Sequence, residues 1–175
     1  MLSTPKGLLE FQEYFVRRLQ RDEVLEVELR GIENARVPTE VARAISEAEA
    51  IVLCPSNPVV SIGPILAVPG MRELLAGSPA PKVAVSPIVG GRALKGPADR
   101  MLQSLGYEVS AAGVARMYEG IVDGFVVDRI DGGEETRISA LGMRVLVTDA
   151  VMRDEPNRER LAREVLSLCS KLGAG

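Results

Sequence analysis

The chain reads as an α/β protein, a three-layer, Rossmann-like arrangement whose largely parallel sheet is flanked by helices, over residues 1–175 as one domain. Three observations predict this. Short apolar runs of strand character recur at 50–53, 82–85, 124–128 and 143–149. Segments with helical spacing stand between them. No internal repeat or low-complexity stretch interrupts the alternation.

The elements follow in order. Leu8, Phe11, Phe15 and Leu19 share one helical face, and Thr4 and Pro5 suit a helix start, which predicts an amphipathic helix near the front. Val24 to Arg30 alternates with period two, placing Leu25, Val27 and Leu29 on one side of a half-exposed strand. Pro38 opens a helix through about Ala48, the strand at 50–53 follows, and Pro69 begins a short helix that ends near Gly77. After the strand at 82–85 come a helix from Pro97 to Leu105, a short segment at 107–109 and a helix through Val114–Tyr118, with Gly106 and Gly120 as stops. Between the strands at 124–128 and 143–149 stand an Asp131-Gly132-Gly133 turn and a short helix over 138–141. Leu161, Val165, Leu168 and Leu172 mark a terminal helix packed on the sheet.

Composition narrows function. The net charge is −3 with signs interspersed, and there are only three Tyr, three Phe and no Trp. Neither a basic stripe nor a stacking platform is available, so nucleic acid is not the expected partner. No apolar run approaches the ~20 residues of a membrane span and the start lacks a signal-peptide layout, which predicts a cytoplasmic protein with no membrane partner. With no histidine, and with Cys54 and Cys169 far apart, the Ser-His-Asp mechanism and Cys/His metal sites are unsupported.

Two segments at strand ends carry the functional signal. Cys54 to Leu66 contains Pro55, Pro58, Gly63 and Pro64, which stiffen a loop bearing Ser56, Asn57 and Ser61 at the carboxyl end of the 50–53 strand. Open α/β sheets hold ligands there. The competing reading is a rigid turn in which Ser56 and Asn57 satisfy their own backbone. The second segment, Ser86 to Pro97, offers the amides of Gly90 and Gly91 and the cations Arg92 and Lys95, a set able to hold a phosphate. Its plain alternative is a flexible loop with a solvated Lys95, and the spacing of a Walker loop is absent. In a parallel sheet both segments open on one rim and are expected to line one pocket. Asp128 and Asp149 end strands and, with Asp99, Asp123, Asp131 and Glu119, are candidates for Mg²⁺ or acid/base work, or caps and turns.

FQEYFV at 11–16, PSNPVVSIGPILAVPG at 55–70 and VAVSPIVGGRALKGPADRM at 83–101 make the chain resemble the 2-phospho-L-lactate transferases of coenzyme F-420 biosynthesis. The likeness continues through Gly113-Val114-Ala115, Tyr118, Val126-Val127-Asp128 and Val147-Thr148-Asp149. It implies a cytosolic transferase that moves a phospholactyl or phosphoenolpyruvyl group from a guanosine-diphosphate-linked donor to the deazaflavin Fo, releases GMP and uses Mg²⁺. It also implies that Ser56, Asn57, Pro58, Ser61 and Gly63 form one ligand-facing loop, and that Ser86, Gly90, Gly91 and Lys95 form another near the nucleotide.

The resemblance covers only the carboxyl-terminal part of such enzymes. Their amino-terminal half, with its Gly-rich phosphate loop and metal-holding carboxylates, has no counterpart in these residues. The expectations are therefore metal ligands outside this chain, an exposed sheet edge, an inactive isolated chain, and a homodimer or an association with the complementary half. Two other readings stand beside it, a regulatory nucleotide-sugar binder like the related gluconeogenesis-factor branch, and a degenerate subunit that binds nothing.

Overall fold

A computed structural model describes residues 1–174. At the front, β1 (Leu2–Thr4) and β2 (Gly7–Leu9) form an antiparallel hairpin, with β3 (Glu26–Val27) pairing on the other side of β1. The expected helix at 8–19 is thus corrected. The Thr4 hydroxyl donates to the Gly7 carbonyl and accepts from Lys6 N–H, turning the chain before Leu8 reaches a helix. What remains is a short helical stretch containing a π-helical turn, Glu13–Arg17, after which Leu19 and Gln20 reverse the chain in left-handed conformations.

The side chains turn out opposite to the expected stripe. Leu8, Phe11, Phe15 and Leu19 are 36–59% exposed, with the Phe11 and Phe15 rings stacked at 5.3 Å, whereas Tyr14 is 1% exposed. Tyr14 instead joins Leu2, Leu9, Val24 and Met101 in a small core under the hairpin. Of the expected strand at 24–30 only β3 pairs, because Val24 turns inward and leaves Leu25 in solvent.

The main sheet holds β4 (Ile51–Leu53), β5 (Lys82–Val85), β8 (Gly124–Asp128) and β9 (Arg144–Thr148), all parallel and in that order. The intervening β6 (Ile88–Val89) and β7 (Arg92–Ala93) form a separate hairpin. Helices α1 (Thr39–Ser46), α2 (Gly63–Leu66), α3 (Met71–Gly77), α4 (Ala98–Ser104), α5 (Ala111–Met117) and α6 (Glu135–Ser139) complete the alternation before α7 (Glu155–Gly173). The segment at 107–109 is irregular rather than extended.

The two faces of the sheet are unequally covered. Ile51, Leu53, Ala84, Phe125, Val127, Val145 and Val147 pack under α1 to α6, forming the larger core. On the other face Val83, Val85, Val126 and Leu146 meet only α7, through Leu161, Val165, Leu168 and Cys169. Each such aliphatic side chain contributes about 1.5–3 kcal/mol on full burial, enough to fix α7 across the middle of the sheet. Among the described residues no single helix is long and apolar enough to cross a membrane.

Candidate functional site

Because β4 and β5 are adjacent and parallel, the two segments singled out in the sequence leave the same rim of the sheet. They are built differently. After Leu53, the Ser56 N–H donates to the Cys54 carbonyl at 2.6 Å in a tight turn. Asn57 then caps a helix, its Oδ1 accepting from Val59 N at 2.8 Å and Val60 N at 3.2 Å, with Pro58 at the first helical position. Here the expected loop is corrected: from Pro58 onward it is a π-helical turn, Pro58–Ile62, running into α2. Of the prolines that suggested a stiff loop, Pro58 starts a helix behind the capping Asn57 and Pro64 stands in the first turn of α2.

Gly63 is required by this turn. Its N–H donates to the Pro58 carbonyl, and a Cβ at this position would lie 2.8 Å from that same oxygen. Asn57 Nδ2 reaches Met101 Sδ on α4 at 3.4 Å, so both ends of the amide are engaged within the chain. The hydroxyls of Ser56, half-buried, and Ser61, exposed, make no hydrogen bond among the described residues. Pro58 is buried, and with Gly63 it lines a hollow of about 350 Å³ shared with Leu25, Val27, Tyr107 and Met117.

The second segment begins with Ser86, buried, whose Oγ donates to the Ile88 carbonyl at 2.8 Å and accepts from Ile88 N–H at 3.2 Å. Beyond it the expected open loop is a two-residue β-hairpin. Gly90 and Gly91 sit at φ 58° and 73°, both left-handed, between Val89 and Arg92, which face each other. A Gly-Gly pair between Ile88-Val89 and Arg92-Ala93 is the signal that would have found this turn from sequence. Lys95 and Arg92 are exposed and make no ion pair among the described residues.

The Gly90 amide is not free. Both carboxylate oxygens of Asp131 accept from it, each at 3.0 Å. Asp131 is 6% exposed; its pKa is raised by burial, with the neighbouring Glu134 and Asp128 adding to the shift and the Gly90 bond opposing it. Asp131, read in sequence as a turn residue or a candidate for Mg²⁺ or acid/base work, is thus the anchor of the hairpin.

The other carboxylates serve as clamps. Asp128 accepts from Ile130 N and, with its second oxygen, from Ala150 N at 2.9 Å, tying the end of β8 to the segment after β9. Asp149 pairs with Arg153 at 2.9 Å, and that bond holds its pKa below the ordinary range. Asp123 binds Lys82 N–H at 2.8 Å and Lys82 Nζ at 3.1 Å at the opposite end of the sheet. Among the described residues no three His, Cys, Asp or Glu side chains converge as metal ligands.

Against this geometry, the family profile described as 2-phospho-L-lactate transferase CofD matches residues 2–165. The chain belongs to this family. A phosphoenolpyruvate transferase of Streptomyces griseus is 41% identical over 167 residues, covering 95% of this chain and 52% of that protein. A 2-phospho-L-lactate transferase of Methanosarcina acetivorans is 38% identical over 167 residues, covering 95% and 54% respectively. The chain therefore spans about half the length of the curated relatives it matches. A Bacillus halodurans protein of known structure is similar in fold, with a TM-score of 0.59, 21% identity, and 94% of this chain and 57% of that one covered. The family is metal-dependent, and the donor set of this chain does not fit a Mg²⁺ site, since Asp128, Asp131 and Asp149 are each committed to amides or Arg153.

Proposed function

We propose that this chain forms part of a transferase that moves a phospholactyl or phosphoenolpyruvyl group from a guanosine-diphosphate-linked donor to the terminal hydroxyl of the deazaflavin Fo. The observation that carries this reading is family membership across nearly the whole chain. Relatives named for each of the two donors match about equally well, so the donor class stays at that pair. In the reaction the Fo oxygen bonds to the donor's distal phosphorus, the bond from that phosphorus to the bridging oxygen breaks, GMP departs with that oxygen, and the hydroxyl proton is lost. Such a step is governed by positioning and charge neutralisation, which agrees with a chain without histidine.

Within it, the uncommitted hydroxyls of Ser56 and Ser61 contact ligand, while Asn57, Pro58 and Gly63 hold the helix start that presents them. Lys95, beside the Gly90-Gly91 turn, supplies positive charge toward the diphosphate, and Ser86 fixes the approach to that turn. Magnesium ligands come from the half of the architecture that this chain does not span.

The test is an assay of GMP release with donor, Fo and Mg²⁺. The chain alone gives no transfer, and adding the polypeptide corresponding to the unmatched part of a relative restores it; vigorous turnover by the chain alone overturns the partition. Thermal shift separates this reading from a uridine-nucleotide binder. A GDP ligand at about 100 times its Kd raises stability by about 2.7 kcal/mol, and stabilisation by a UDP-sugar alone sinks the transferase reading.

A further inference from the structure

We propose that the hollow between the segment after the front hairpin and α4 binds a small oxyanion, a carboxylate or a phosphate, held by the hydroxyl of Tyr14 and the guanidinium of Arg100. The space measures about 380 Å³ and takes its walls from Tyr14 and from residues within 20–24 and 100–104. Cavities of about 300–1,000 Å³ hold small molecules. The tyrosine carries the argument. Tyr14 is 1% exposed, yet its hydroxyl has no hydrogen-bond partner among the described residues. No fully buried side-chain polar atom among them is left without a partner, so the little of Tyr14 that stays exposed is that hydroxyl, opening on the hollow it lines. A phenylalanine would fill the small core with Leu2, Leu9, Val24 and Met101 and leave no polar atom to satisfy. Burial raises the pKa of the hydroxyl, with Arg100 opposing the shift and Asp22 adding to it, so it is protonated at neutral pH and acts as a donor.

Charge specifies the occupant. Neither Arg21 nor Arg100 has an ion-pair partner among the described residues, and the side-chain amides of Gln20 and Gln103 are likewise uncommitted. Of the two carboxylates on the wall, Asp22 is neutralised by Lys6 Nζ at 2.6 Å and by Arg18 at 3.7 Å, while Glu23 is exposed. Two unpaired guanidinium groups against one solvated carboxylate leave the wall with a positive balance. A guanidinium presents its fork to the paired oxygens of a carboxylate or phosphate, and such charge-assisted bonds are roughly twice as strong as neutral ones. The tyrosine hydroxyl adds a donor from the floor, and the two glutamines add neutral groups for the rest of the molecule.

The backbone is bent to bring these groups together. Leu19 and Gln20 take φ of 50° and 58°, a left-handed pair without glycine, and the Gln20 N–H donates to the Tyr14 carbonyl at 3.0 Å. That reversal returns Gln20 and Arg21 to the hollow that Tyr14 lines. The hollow also touches the turn after β4 through Met101, which stands in its wall and whose Sδ accepts from Asn57 Nδ2 at 3.4 Å. An occupant therefore packs on the side chain to which the cap of that turn is tied.

The experiment is titration of the chain with inorganic phosphate and, separately, with malonate, followed by amide chemical shifts. Expected is a saturable response centred on Tyr14, Arg21 and Gln103; phosphate alone marks a phosphoryl site, malonate alone a carboxylate site, and both together a site for either oxyanion. Tyr14→Phe keeps the ring in the small core and Arg100→Gln alters an exposed side chain, and each should weaken that binding by about tenfold or more. Arg163→Gln, which changes an exposed cation of α7, leaves it unchanged. The proposal falls if neither anion saturates, if the shifts centre elsewhere, or if either Tyr14→Phe or Arg100→Gln binds as the wild type does. Loss of binding in Lys95→Ala with Tyr14→Phe unaffected puts the anion at the hairpin after β5 and overturns it as well.

Discussion

The turn after β4 is locked from within, and the turn after β5 is locked from outside. Asn57, Pro58 and Gly63 close the first through bonds two to five residues apart along the chain. The hairpin tip at Gly90 depends on Asp131, 41 residues away. A locally closed turn keeps its shape whatever docks on it, whereas the hairpin, although its strands pair through Val89 and Arg92, has its tip anchored to the rest of the chain by one remote carboxylate.

Gly63→Ala offers the hardest blow to the first turn. Its new methyl meets the Pro58 carbonyl at 2.8 Å, and we expect a loss of about 2–3 kcal/mol in urea unfolding. Asn57→Ala removes the cap and should cost about 1–2 kcal/mol, while Asn57→Asp, which keeps an acceptor, recovers most of it. If Asn57→Ala is silent, the turn is not closed by its cap and the contrast fails.

The second turn is probed through Asp131. Replacement by Ala leaves the Gly90 amide without its acceptor, at a cost of about 1 kcal/mol. Asp131→Asn keeps an acceptor and removes the buried charge, and pH sets its sign. A carboxyl whose folded pKa is raised binds its proton more tightly in the native state, so wild-type stability falls as pH climbs from the ordinary value of 3.8 through the raised one. Relative to wild type, Asp131→Asn should therefore gain stability as pH rises above the ordinary value of 3.8, measured as the difference in urea midpoints. A gap that does not move means the carboxyl titrates alike in both states. Smallest in stability terms is Lys95→Ala, expected within about 0.5 kcal/mol of wild type because the side chain is exposed. Its effect should appear only as weaker binding of a GDP-linked donor, read by calorimetry in the completed complex.

Legibility in the sequence followed the same division between local and remote. The strands at 51–53, 82–85, 124–128 and 144–148 and the helix at 155–173 were readable because each is an uninterrupted apolar run or a clean helical stripe. The front misled because three-residue strands carry too little period to compete with Leu8, Phe11, Phe15 and Leu19, whose helical spacing is real but faces solvent. Asn57 was visible as a polar residue at a strand end, yet its capping role needed the helix that Pro58 starts. Nothing local foretold the Asp131 bond, since a contact spanning 41 residues is fixed by tertiary packing. Family likeness located both turns but not their internal wiring.

The spatial order of the main sheet, β4 to β9, repeats the order of synthesis. On a ribosome each strand emerges when its neighbour is already exposed, so this sheet is able to assemble vectorially, with no strand waiting for a distant mate. Only α7, which follows all four strands in the chain, seals the second face. Nascent-chain force measurements would then register successive pulls as the strands at 82–85, 124–128 and 144–148 clear the exit tunnel; a single late pull, after α7, would mean the whole sheet condenses at once.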